Sequence, residues 1–137
     1  MIYTTYFANL KNLPENIIPV SICGKAPDGY KGLQYKKLAP KYSFFSKWKE
    51  TRDNDYYVRC YRDEILNTLD PCNVVTELYK LVYGGKTLTE EGPDLSIVLV
   101  CYETPEKFCH RHLVSRWLKQ NGIPCCEWRK DDNYKRL

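Results

Sequence analysis

The sequence predicts an α/β fold, a single three-layer domain with a small, mainly parallel sheet of about four strands flanked by helices. Three observations carry this reading. The stretch "LSIVLVCYE", residues 95–103, is almost wholly apolar up to Cys101, as befits a strand buried on both faces of a parallel sheet. Thr104-Pro105-Glu106 follows it with an N-cap, a proline at the first helical position and an acid in the first turn, so a helix is expected to about Gln120, with Gly122 as its stop. "IPCCEW" then supplies a last short strand and completes a βαβ unit, in which the strands on either side of the helix are expected to be parallel neighbours.

The remaining elements fall in order. "MIYTTYF" is β-branched and aromatic and reads as a strand, and "NIIPVSIC" as a second, with the loop "ANLKNLPE" between them. "GKAPDGYKGLQYKKLAP" holds three glycines and two prolines and reads as a long loop. "YSFFSKWKE" predicts a short helix that presents Phe44, Phe45 and Trp48 to the core. In "DYYVRCYRDEILNTL", Val58, Tyr61, Ile65 and Leu69 fall at helical spacing. Asp70 as N-cap and Pro71 at the first position start a third helix, which Gly84-Gly85 ends. "KTLTEEGPD" is a polar connection. The domain is expected to span residues 1–128, with 129–137 a polar C-terminal tail.

At 137 residues the chain is long enough for one core that needs no disulfide staples. No run approaches the roughly 20 apolar residues of a membrane span, and the N-terminus lacks the pattern of a signal peptide, so a cytoplasmic protein with no membrane partner is expected. Seven cysteines, an odd number, then suggest free thiols in a reducing compartment. The net charge of +4 is unevenly placed: from Lys25 to Lys49 seven lysines face one acid, a local +6, and the rest of the chain carries −2.

"CYETPEKFCHRH", residues 101–112, holds two cysteines, both histidines, a glutamate and an arginine where a parallel strand ends and a helix begins. Such folds bind ligands there. The candidate catalytic residues are Cys101, Glu103, Cys109, His110 and Arg111. Helical spacing turns His110 inward with Leu113, Val114 and Trp117.

The plain alternative is a hydrogen-bonded core histidine beside an Arg111 paired with Glu103 or Glu106. Three chemical readings compete with it. A thiolate at Cys109 or Cys101 would gain from the helix N-terminus and from Arg111 or a protonated His110. Arg111 and helix N–H groups could hold a phosphate or carboxylate, with His110 as acid or base. Cys101, Cys109, a histidine and Cys125 or Cys126 could ligate zinc, although no pair with the C-x-x-C spacing supports that and no cofactor is otherwise expected. The cysteine-phosphatase spacing of Cys, five residues, then Arg fails: it reaches Lys107 from Cys101 and Ser115 from Cys109.

Lysines interleaved with aromatics between residues 25 and 49 suit a nucleic-acid backbone with unpaired bases. Lys25, Tyr30 and Lys31 in the glycine-rich loop, and Tyr61 on the second helix, are the candidate substrate-binding residues.

"LVCYETPEKFCHRHLVSRWL" resembles the signature of the YeaO-like bacterial and phage proteins, the family of domain of unknown function 488. "PVSICGKAPDGYKGLQYKKLAP" and "YYVRCYRDEIL" look like that family's other two blocks, so the resemblance covers about residues 1–128. It implies a single α/β domain whose site is formed by the Cys-Tyr-Glu and Cys-His-Arg residues, and it implies no reaction. Ser21-Ile22-Cys23 stands where many relatives carry an Asp-Val-Arg type of strand end. The expectation is an enzyme-like domain that binds an anionic small molecule or nucleic acid at the Cys/His/Arg site. The alternatives are a non-catalytic nucleic-acid or protein-binding module using the basic loop, and a zinc-stabilised domain.

Overall fold

The computed structural model describes residues 1–84 and 94–130. The polar connection expected at 86–94 and the tail expected at 129–137 lie largely outside the described residues, as does Gly85. Strands β1 (Ile2–Tyr6), β2 (Ile17–Ser21), β3 (Leu33–Gln34), β4 (Ser96–Cys101) and β5 (Cys125–Glu127) form one sheet in the order β3-β2-β4-β1-β5. Every pairing is parallel. The fold is therefore α/β as expected, with five strands instead of four. The fifth, β3, is a two-residue strand inside the stretch read as loop.

Burial explains the central place of β4. Ile97, Val98, Leu99 and Val100 are all fully enclosed, and each such aliphatic side chain contributes about 1.5–3 kcal/mol relative to exposure. Ile97 and Leu99 face the layer made by helices α1 (Tyr42–Thr51), α2 (Asn54–Glu64), α3 (Pro71–Val82) and α4 (His110–Gln120), where they meet Phe44, Tyr61, Leu78 and Leu118. Val98 and Val100 face a thinner third layer of Leu10 and Leu13, around the 3-10 turn at Phe7–Asn12, and Trp128. Among the described residues no helix is long and apolar enough to cross a membrane.

The caps read from the sequence hold at α3, where Asp70 accepts from the Asn73 N–H and Pro71 opens the helix. They fail at α4, which starts at His110 with Cys109 as its N-cap. Thr104 to Lys107 forms an isolated turn instead. Phe108 then leaves it to pack on Trp48 and Tyr57, and the Glu103 carbonyl is held by Arg111. Those tertiary contacts outweigh a local cap signal worth about 1 kcal/mol.

A second correction concerns strand order. β4 and β5 are not neighbours, because β1 lies between them. Cys125 pairs with Ile2, at the opposite end of β1 from Tyr6, which pairs with Cys101. Four residues of strand, about 13 Å, therefore separate the two levels. Neither Cys125 nor Cys126 can join Cys101 in a metal site.

Candidate functional site

β2 and β4 are adjacent, and their outgoing connections diverge: the chain leaves β2 toward β3 at one edge and leaves β4 toward β5 beyond β1. Such a divergence is the switch point at which parallel sheets open a crevice. Here a cleft of about 730 Å³ opens beyond both strand ends. Cys23, Gly24 and Lys25 line it after β2; Cys101, Tyr102 and Glu103 line it after β4; Phe108, Cys109 and His110 close its floor; and α1 forms the facing wall.

Three buried side chains converge on that floor. The donor atoms of Cys101, Cys109 and His110 all lie within 4.8 Å of one another, and the group could hold a metal ion. The structure joins Cys101 and Cys109 in a disulfide, which corrects the expectation of free thiols throughout, and their Cα atoms stand 7.1 Å apart, just beyond the usual range of about 4.4–6.8 Å. The other described cysteines are free thiols.

His110 is oriented from behind. Its Nε2 lies 2.7 Å from the Ile22 carbonyl oxygen, and a carbonyl can only accept, so Nε2 carries the proton. Nδ1 is left with its lone pair 3.4 Å from the Cys101 sulfur. Burial pushes the His110 pKa down to about 4; the Ile22 hydrogen bond works against this, and the nearby Arg111 charge adds to it. The imidazole is therefore neutral at pH 7. That removes the expected imidazolium that would stabilise a thiolate. Burial also pushes the Cys23 thiol up to about 11.

Arg111 was expected to bind an anion, and the structure commits it elsewhere. It is 0% exposed. Its Nε and Nη2 donate to the two carboxylate oxygens of Glu127 at 3.1 and 3.0 Å, and Nη1 donates to the Glu103 carbonyl. The plain alternative, an ion-paired arginine, holds with Glu127 as the partner in place of Glu103 or Glu106. Glu103 itself lines the cleft.

Of the four expected substrate-binding residues only Lys25 lines the cleft. Tyr30 packs edge-on against Phe7, and its hydroxyl donates to the Leu33 carbonyl. Tyr61 is buried, and its hydroxyl donates to the Leu38 carbonyl. Lys31 is exposed on the loop.

The sequence reading missed most of the wall. Phe45 and Trp48, expected in the core with Phe44, are only partly buried and line the cleft with Tyr42, Lys49, Arg52 and Tyr57. Phe44 alone is core. One signal was available for Cys23, since it follows a strand end just as Cys101 ends one. None was available for Arg52, which sits at the α1 C-cap in left-handed backbone, φ 55°.

The family described as "Active DUF488-N3 subclade" matches residues 8–122. No curated protein and no solved structure matches the chain. The match takes in most of the sheet, all four helices and every residue lining the cleft, and the chain belongs to the DUF488 family.

Proposed function

We propose that the cleft binds an anionic, ring-bearing ligand, a nucleotide unit, and brings it over the Cys101–Cys109–His110 floor as an enzyme-like domain would. One observation carries this: aromatic faces and cations share one mouth. Tyr42 is 80% exposed and Tyr102 50% exposed, and both border the cleft beside Trp48. Lys25, Lys49 and Arg52 border it as well. Aromatic platforms accept bases and cations accept phosphates, and neither requires a sequence motif.

The basic loop draws less support as an interface. Lys36 donates to the Gly24 carbonyl, Lys37 pairs with Glu77 at 2.9 Å, and Tyr35 donates to the same carboxylate. Much of its cationic and hydroxyl equipment is spent on holding the loop to itself and to α3.

Titration of tryptophan fluorescence with a mononucleotide and with a short single-stranded DNA tests the reading and distinguishes its two sources. A free nucleotide would bind as tightly as the strand. A strand engaging all three cations would bind more tightly, with a log–log salt slope of about −2. Absence of binding by either at low salt would sink the proposal.

Arg52→Gly separates function from fold. Left-handed backbone costs a non-glycine residue about 1–2 kcal/mol. The Arg52 guanidinium recovers part of that, 4.6 Å from the Trp48 ring centre, where a cation–π contact contributes about 0.5–1 kcal/mol. The expected outcome is a stability change within about 1 kcal/mol by urea unfolding, with weakened binding and a shallower salt slope. An unchanged slope would remove Arg52 from the interface.

A further inference from the structure

The three side chains on the cleft floor are a better match to a metal centre than to a nucleophile with its base. We infer that, once their disulfide is reduced, Cys101, Cys109 and His110 hold one divalent ion of the zinc class, with the fourth coordination position open to the cleft. The inference stands whatever ligand the cleft takes.

The arrangement of His110 comes first. A metal-bound imidazole characteristically donates its other ring N–H to a carbonyl or carboxylate, which fixes the tautomer and aims the lone pair. His110 Nε2 does this to the Ile22 carbonyl, and Nδ1 faces the sulfurs. Distance agrees: Zn–S of about 2.3 Å and Zn–N of about 2.0 Å at a tetrahedral angle place two ligand atoms about 3.5 Å apart. The Cys101 sulfur and His110 Nδ1 are 3.4 Å apart. The disulfide must first be reduced by a thiol reductant, which supplies two electrons and two protons and is itself oxidised to a disulfide, and the two sulfurs then part to about 3.8 Å to admit the ion. Cα atoms 7.1 Å apart permit that by side-chain rotation.

Charge and softness agree as well. Cys101, Cys109 and His110 are 4%, 5% and 6% exposed, so two thiolates need a dication to be neutral there. Two thiolates and an imidazole suit a borderline-soft ion and not magnesium or calcium. Three protein ligands with one free position is the pattern of reactive zinc sites, whereas structural sites close with four. Among the described residues, Cys23 is a candidate to close it. It packs in the same sulfur cluster, yet it stands outside the group of converging donor atoms, and its sulfur lies 3.7 Å from the Val100 carbonyl.

The test is Co²⁺ titration of the full chain, purified under reductant with a chelator, then freed of both anaerobically. One Co²⁺ per chain is expected, with a thiolate-to-cobalt charge-transfer band and tetrahedral d–d bands. Cys101→Ser and Cys109→Ser should each lower the charge-transfer band by about half. Cys23→Ser should leave it unchanged and, with its far-ultraviolet circular dichroism, serves as the folded control. His110→Ala should weaken Co²⁺ binding by at least about tenfold. A chain with seven titratable thiols that takes up no Co²⁺ with a thiolate band would overturn the inference. So would five titratable thiols in protein kept under a thiol reductant, which would make the disulfide the persistent state of the pair. A band reduced by about a third in Cys23→Ser would overturn the open position and make the site closed.

Discussion

Replacing Glu127 with alanine is expected to destabilise the protein by about 3–5 kcal/mol, because it leaves the enclosed Arg111 guanidinium without a counter-charge. Glu127 supplies both oxygens to that guanidinium, and one of them also accepts from the Thr4 hydroxyl at 2.7 Å. A single carboxylate on β5 thus ties together α4 and β1 and, through the Arg111 guanidinium that also donates to the Glu103 carbonyl, the segment that leaves β4. Urea unfolding measures the loss. The origin of the cost can be separated from its size. Arg111→Met combined with Glu127→Leu removes both charges and should recover most of the stability, since burying apolar groups in place of an ion pair is often neutral or favourable. A Glu127→Ala loss below about 1 kcal/mol would mean that water reaches the guanidinium and that the pair behaves as a surface bridge.

Glu127 was not legible in the sequence, and the reason is physical. Arg111 stood out because it adjoins Cys109 and His110, but its partner comes from a strand whose place in the sheet depends on non-local pairing. Local signals did better. Asp70-Pro71 marked the start of α3, and the apolar run at 95–101 marked a strand buried on both faces. Strand order carries no local signal, and assuming adjacent strands in the βαβ unit brought Cys125 to the wrong end of the sheet. The cleft shows a related limit. Helical spacing grouped Phe44, Phe45 and Trp48 as one apolar face, but a face wide enough to hold three aromatics can be half core and half wall. Phe44 meets Tyr57 in the core, while Trp48 meets Tyr57 and Phe108 at the rim. Periodicity says which residues share a side of the helix and not where the neighbouring layer ends. The inward turn of His110 was readable. Its neutrality depends on how completely the cleft floor is enclosed, which no spacing reports.

Trp48→Ala is expected to weaken nucleotide-unit binding by about ten- to a hundredfold, the loss of one base-stacking platform worth roughly 1–3 kcal/mol. The indole is held before any ligand arrives. Its ring lies 5.5 Å from Tyr57 and 5.6 Å from Phe108, and its Nε1–H donates to the Asn54 side chain at 2.8 Å. A platform fixed in this way loses little conformational freedom on binding, so more of the stacking energy appears as affinity. Truncation also removes packing from a half-buried side chain, and that effect must be kept apart from the first. Trp48→Phe retains a stacking face and most of the contact, so it should bind within about threefold of the parent while unfolding at slightly lower denaturant. Calorimetric titration well below the unfolding midpoint of both variants reads affinity alone. If the alanine variant is folded there and binds as the parent does, the ligand does not stack on α1, and the aromatic wall is packing that extends to the surface. If the phenylalanine variant binds as poorly as alanine, the indole N–H or its contact with Arg52 carries the recognition, and charge outweighs stacking at this mouth.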